Sequence, residues 1–182
     1  MRTFIALFRG INVGGNNIIK MAELKALFGE LGFVDPQTYV QSGNVVFRAP
    51  EAGNDTLATT IEEAVKARFG LAPHVIVRGA AEWSEIIAAN PFPDFNLPKN
   101  LHAYILDAEP TAAMIDDLAG RERLAGDYAI DGGVLYLHTP EGLLKSNLPV
   151  LIERSLRVPM TARNWNTVLA LQSLVAAKER EK

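Results

Sequence analysis

Gly43-Asn44-Val45-Val46-Phe47-Arg48-Ala49-Pro50-Glu51 returns, weakened, as Gly133-Val134-Leu135-Tyr136-Leu137-His138-Thr139-Pro140-Glu141. Three of the nine positions are identical: Gly43/Gly133, Pro50/Pro140 and Glu51/Glu141. Each copy is an apolar, β-prone run entered through a glycine and closed by a proline, so each reads as the second arm of a hairpin. Three identities are a slight basis for a duplication. The order of elements around each copy is a better one.

Upstream of the first copy, Thr3–Phe8 is a continuous apolar run and reads as a buried strand. Met21, Leu24, Leu27, Phe28 and Leu31 recur at helical spacing, and Gly32 supplies the C-terminal stop. Thr38–Gln41 and Val45–Arg48 read as strands joined through Ser42-Gly43-Asn44. Downstream, Asn54 or Asp55 can cap a helix whose inner stripe is Leu57, Ile61, Ala64 and Val65, with Gly70 as its end. His74–Arg78 reads as a further strand. The order is β-α-β-β-α-β.

A helix over Ala80–Asn90 and the proline-rich Pro91–Pro98 follow, the latter a stiff connector. The order then repeats. Strands are predicted at His102–Leu106, Asp127–Ile130, Val134–His138 and Met160–Arg163, and helices at Thr111–Leu118 and Asn147–Leu156. A last helix from about Asn164 buries Trp165, Val168 and Leu171 and frays over Lys178–Lys182. The fold class is therefore α+β, with two tandem ferredoxin-like βαββαβ units (alpha-beta plaits). Residues 1–78 form the first, 79–99 the helix and connector, and 100–182 the second with its C-terminal helix.

Composition narrows the chemistry. The chain has 182 residues and no cysteine, which excludes disulfides, thiolate metal sites and a thiol nucleophile. Lack of cysteine fits a cytoplasmic setting. The apolar start breaks at Arg9, too early for a signal peptide, and no later run reaches membrane-spanning length. A net charge of −3 gives no general attraction to nucleic acid or anionic lipid.

The topology brings Arg9–Asn17 beside Gln41–Asn44, because the first strand and the hairpin meet at one rim of the sheet. Arg9, Asn12, Asn16, Asn17, Lys20, Gln41, Ser42 and Asn44 cluster there. Gly10, Gly14 and Gly15 let backbone N–H groups approach a partner, and the loop leads into a helix N-terminus suited to an anion. The same Gly and Asn residues would serve any tight turn, and Arg9 could simply pair with a carboxylate. The spacing is not that of a dinucleotide fingerprint.

Arg163-Asn164-Trp165-Asn166-Thr167 forms a second cluster at a strand-to-helix junction. Asn164 or Asn166 can cap the helix, with Trp165 as a core anchor. Arg163 opposes the helix dipole, a conflict that an anionic partner would relieve. Gly142-Leu143-Leu144-Lys145-Ser146 lacks the length and glycine of a phosphate loop, so Lys145 reads as a solvated lysine. His74, His102 and His138 stand singly without metal-ligand spacing. No catalytic set emerges, and the sequence names no cofactor.

Arg9-Gly10-Ile11-Asn12-Val13-Gly14-Gly15, Met21 with Leu24, Gln41-Ser42-Gly43-Asn44-Val45-Val46-Phe47, and Thr161-Ala162-Arg163-Asn164-Trp165-Asn166-Thr167 together resemble the signature segments of a bacterial family of unknown function, DUF1697. The resemblance covers nearly the whole chain. It implies two alpha-beta plaits and makes the two clusters the family's own signatures, but implies no activity. One departure is Ser146-Asn147-Leu148, where the family resemblance leads one to expect Ser-Lys-Leu. The lysine instead stands one place before the serine, as Lys145, which weakens a role for it.

These readings converge on a binder of a small anionic or phosphorylated ligand, with catalysis left open. Its ligand-binding residues would be Arg9, Asn12, Gly14, Gly15, Lys20, Gln41, Ser42, Asn44, Arg163, Asn164 and Asn166. The alternative is a non-catalytic regulatory or structural module that self-associates through sheet edges or faces. Nucleic-acid binding is disfavoured, since Val45-Val46-Phe47-Arg48 lacks the basic-glycine-aromatic pattern of RNA-binding strands. Monomer and homodimer are both compatible with the sequence.

Overall fold

The computed structural model describes residues 1–92, 98–121 and 126–180. Its chain divides into two compact units, Met1–Glu85 with Ala170–Lys182, and Ile86–Leu169. Part of the predicted connector, residues 93–97, lies outside the described residues.

The first unit contains β1 (Arg2–Phe8), α1 (Met21–Glu30), β2 (Val34–Thr38), β3 (Asn44–Ala49), α2 (Asn54–Phe69) and β4 (Val75–Gly79). The antiparallel sheet runs β2-β3-β1-β4, the order of a ferredoxin-like plait. Alternation along β1 sends Phe4, Ala6 and Phe8 to the α1–α2 side and Ile5 and Leu7 to the other, and all five are buried. Phe47 centres the first cluster, with ring centroids 5.9 Å from Phe4, 5.1 Å from Phe28 and 4.7 Å from Phe33. A full side-chain truncation there would cost about 3–5 kcal/mol.

α3 (Ala80–Ala88) follows, then β5 (Leu101–Leu106), α4 (Ala112–Ala119), β6 (Asp127–Asp131), β7 (Val134–His138), α5 (Leu148–Leu156) and β8 (Met160–Asn164). The second sheet repeats the order as β6-β7-β5-β8. Tyr104, Leu106, Leu135 and Leu137 meet Leu148, Ile152 and Leu156 of α5 in its core. Thr111 caps α4 by accepting from Met114 N. The Gly132-Gly133 turn joins β6 to β7, with Gly132 at φ 52°. Two tandem ferredoxin-like units are thus present. The last helix, α6 (Trp165–Arg180), starts in the second unit and its residues from Ala170 belong to the first.

Three local readings need correction. The strand predicted at Thr38–Gln41 lies earlier, at Val34–Thr38, and Tyr39–Gly43 is the connection. Pro36 disguised it. Proline is tolerated there because β2 is an edge strand with an irregular register between Val34 and Gln37. Neither Asn54 nor Asp55 caps α2. Gly53 holds the cap position, while Asn54 Nδ2 donates to Glu82 Oε2 at 2.9 Å. The C-terminus is not frayed at Lys178, whose side chain is 1% exposed. Its ammonium pairs with the Asp35 carboxylate and donates to the Asp35 carbonyl at 2.5 Å, while Thr3 Oγ1 donates to Glu179 at 2.5 Å. These partners hold the last turn on the first unit.

Candidate functional site

The loop from Arg9 to Lys20 is built by its asparagines. Asn12 and Asn17 occupy the left-handed region at φ 55° and 50°, which asparagine tolerates better than most residues. Asn12 Oδ1 accepts from Ile19 N at 2.8 Å, and its Nδ2 donates to Ile19 O at 2.9 Å and to Gln41 O at 2.8 Å. Asn17 Nδ2 donates to Gly10 O at 3.0 Å, and Asn12 N donates to Asn17 O at 3.1 Å. Ile11 and Ile19, each 1% exposed, plug the base of the loop into the aromatic core. Val13 and Asn16 form a bridge around Gly14-Gly15, with Asn16 N donating to Val13 O at 3.0 Å. Positive φ at both central residues, 58° and 78°, is the signature of a type I′ turn and explains the pair of glycines.

The predicted neighbour segment lies against this loop. Phe8 N donates to Gly43 O at 2.9 Å. Gly43 has φ 72°, and a Cβ there would meet Ile11 Cδ1 at 2.6 Å and Phe8 Cβ at 2.7 Å. Close approach and backbone geometry both require glycine at that position. Asn44 is fully buried; its Nδ2 donates to Tyr39 O at 2.9 Å and Ser42 Oγ at 3.0 Å.

The predicted donors therefore separate into two groups. Asn12, Asn17 and Asn44 are spent on the loop's own scaffold. The Gln41 carbonyl is spent as well, on Asn12. Arg9, Gly14, Gly15, Lys20 and Gln41 are exposed at the rim, as is Ser42, whose Oγ already accepts from Asn44. Among the described residues, the Gly14 and Gly15 N–H groups have no hydrogen-bond partner. Lys20 stands 3.9 Å from Glu23 Oε1 with 79% of its side chain exposed, too loose a pair to withhold it from a ligand. Sequence reasoning passed over the apolar part of this rim. Val13 and Ile18, each 61% exposed, flank the turn, and Val40, 50% exposed, sits on the adjoining connection at φ 50°. Exposed aliphatics within a glycine-rich signature were the available signal.

The second cluster belongs to the other unit. Asn164 Oδ1 accepts from Asn166 N at 3.0 Å, so Asn164 caps α6, and its Nδ2 donates to Lys99 O at 3.0 Å. Asn166 is exposed and Trp165 is buried, with its ring 6.2 Å from Tyr136. Arg163 is 6% exposed, and its Nη1 donates to Thr161 Oγ1 at 2.6 Å and Ala162 O at 2.9 Å. Burial lowers its pKa to about 10, so it stays charged near neutrality, and oxygens of its own strand supply part of its solvation.

With this geometry in hand, the match of residues 1–136 to the family model described as "Protein of unknown function (DUF1697)" is decisive. The chain belongs to the DUF1697 family. The family match takes in the entire rim loop, Gly43 and the first plait, and ends before the Arg163–Thr167 cluster, so it does not extend over nearly the whole chain as the signature resemblance implies. Among solved structures the chain is similar to the conserved bacterial protein SP0830 from Streptococcus pneumoniae, at 20% identity and a TM-score of 0.70, covering 96% of this chain and 98% of that one. That likeness concerns the fold. No curated protein matches the chain. Among the described residues of this DUF1697 protein no cluster of His, Asp or Glu could hold a metal ion, and no helix is long and apolar enough to cross a membrane.

Proposed function

We propose that this DUF1697 protein binds a small anionic or phosphorylated ligand at the Gly14-Gly15 rim of its first unit. The observation behind this reading is the unpaired pair of glycine N–H groups at a tip that Asn12 and Asn17 hold in shape. Oriented amides on a preformed turn favour an anion at little ordering cost. Arg9 and Lys20 add exposed positive charge on the same loop. Val13 and Ile18 supply apolar contact for a ligand with an organic body. Binding is the whole of the proposal, and catalysis is left open. A cytoplasmic setting, consistent with 182 residues without cysteine, completes it.

The test is a thermal-shift screen of nucleotides, sugar phosphates and carboxylates, followed by amide NMR of any hit. Binding at the rim moves the Gly14 and Gly15 resonances, and Arg9→Ala weakens it by about tenfold, the equivalent of one charge-assisted hydrogen bond. A hit that leaves both glycines unmoved disproves the site.

A second reading rests on Val13, Ile18 and Val40, three exposed aliphatic side chains on one rim. In it the rim joins two copies of the chain. Sedimentation of wild type and Ile18→Asp separates the readings: only self-association predicts a dimer that the aspartate disperses.

A further inference from the structure

Each plait has a cleft where its first strand begins and its third strand ends, and the two clefts carry opposite charge. In the first unit this cleft, of about 850 Å³, is lined by Arg2, Glu51, Glu82 and Glu179. In the second, of about 490 Å³, it is lined by Lys99, Asn100, His102, Glu141, Gly142 and Lys145. The positions correspond. Arg2 pairs with Ala49 at the end of β3, just before Pro50-Glu51, and Leu101 pairs with His138 at the end of β7, just before Pro140-Glu141. Three glutamates against one arginine line the first cleft, and two lysines against one glutamate line the second, beside a histidine.

We propose that the cleft of the second unit is a separate binding site for a phosphate-bearing small molecule, held by Lys99 and Lys145 with His102. The walls are fixed in advance. Asn100, 8% exposed, donates from Nδ2 to Pro140 O at 2.8 Å, and Thr139 N donates to Asn100 O at 2.8 Å. These bonds tie the start of β5 to the turn after β7. Lys99 projects from a backbone that Asn164 holds through Lys99 O. Lys145 closes a single 3-10 turn, with its N donating to Gly142 O at 3.2 Å. Both ammonium groups thus hang from pinned backbone over one cleft.

Their local neutralisation is weak. Lys145 lies 3.9 Å from Glu141 Oε2 with both side chains more than two-thirds exposed (71% and 80%), a contact an incoming anion readily replaces. His102 lies on the same face of β5 as Tyr104 and Leu106, and its Nδ1 is buried without a hydrogen-bond partner. Keeping the proton on Nε2 avoids burying an unpaired N–H, so the imidazole has a neutral N–H to donate to an oxyanion. Two point charges and one such donor suit phosphate oxygens. The mutual position of the lysines comes from backbone that Asn164 helps to fix.

The full chain is titrated with sodium pyrophosphate at constant ionic strength and followed by amide NMR, using wild type, the Lys99→Ala/Lys145→Ala double variant and Arg9→Ala. Both lysines are exposed, so the double variant should fold, and an unchanged unfolding midpoint verifies it. The expected result is saturable shifts at Lys99–His102 and Glu141–Lys145, with none at Glu51–Asn54 in the acidic cleft. The double variant should bind about tenfold more weakly or worse, and Arg9→Ala should bind as wild type. Shifts that fail to saturate, that chloride reproduces, or that survive in the double variant overturn the proposal. Binding abolished by Arg9→Ala but not by the lysine variant overturns it too, and leaves the rim site of the first unit standing.

Discussion

The Asn12 side-chain amide donates to the Gln41 carbonyl at 2.8 Å, bridging the two rim segments that the sequence places far apart. Both ends of that amide are in use, since Oδ1 also accepts from Ile19 N. Asn12→Asp keeps the acceptor but turns a second oxygen toward the Ile19 and Gln41 carbonyls. Lost donors and lone-pair repulsion should lower stability by about 2–3 kcal/mol, read as a fall in the urea midpoint at unchanged slope. A variant within about 0.5 kcal/mol of wild type would mean the rim is not built around this amide.

Gly43→Ala tests close approach. The added methyl would lie 2.6 Å from Ile11 Cδ1 at a residue with φ 72°. Strain and overlap together should cost about 2–4 kcal/mol. Gly15→Ala also changes a positive-φ glycine but meets nothing within 4 Å, so it should cost only about 1 kcal/mol. Comparing the two midpoints separates steric crowding from backbone preference.

Lys178 and Asp35 should respond unequally. Lys178 is 1% exposed whereas the Asp35 side chain is 37% exposed. Asp35→Asn strands a buried ammonium and should cost about 3 kcal/mol. Lys178→Met leaves a carboxylate that water can reach and fills the same space with apolar atoms, so it should cost clearly less. Chemical denaturation of both variants checks the ordering, and the reverse order contradicts the buried pairing.

His102 makes stability depend on pH in a defined direction. Burial lowers its pKa below the ordinary 6.5, so the unfolded chain takes up this proton before the folded one. The contribution is fully present above the unfolded pKa and is lost as pH falls below it toward the folded value. Between about pH 7.5 and pH 5.5, wild type should lose more stability than His102→Gln. Equal losses in paired urea titrations would exclude this histidine as the cause.

Much of the architecture was legible because it rests on local patterns. The stripes around Leu24 and Phe28 and around Leu57 and Ile61, the strand of Thr3–Phe8 and the glycine stop at Gly70 all need only periodicity and backbone preference. β2 is hidden in the sequence because Pro36 argues against a strand wherever its sheet position is unknown. The rim was found correctly as a neighbourhood, since topology alone brings Gly43 to Phe8. Its asparagines read as ligand donors in the sequence, because a sequence gives the donors but not the carbonyls that already accept from them.

The sequence by itself determined the doubled βαββαβ order and the residue types at each turn, because hydrophobic period and glycine placement act within a few residues of one another. Tertiary structure alone decided that Asn12 and Asn44 are scaffold, that Lys178 is buried against Asp35, and that corresponding clefts of the two plaits bear opposite charge. Each of these depends on groups brought together by the fold, so burial and pairing rather than residue type set what those side chains do.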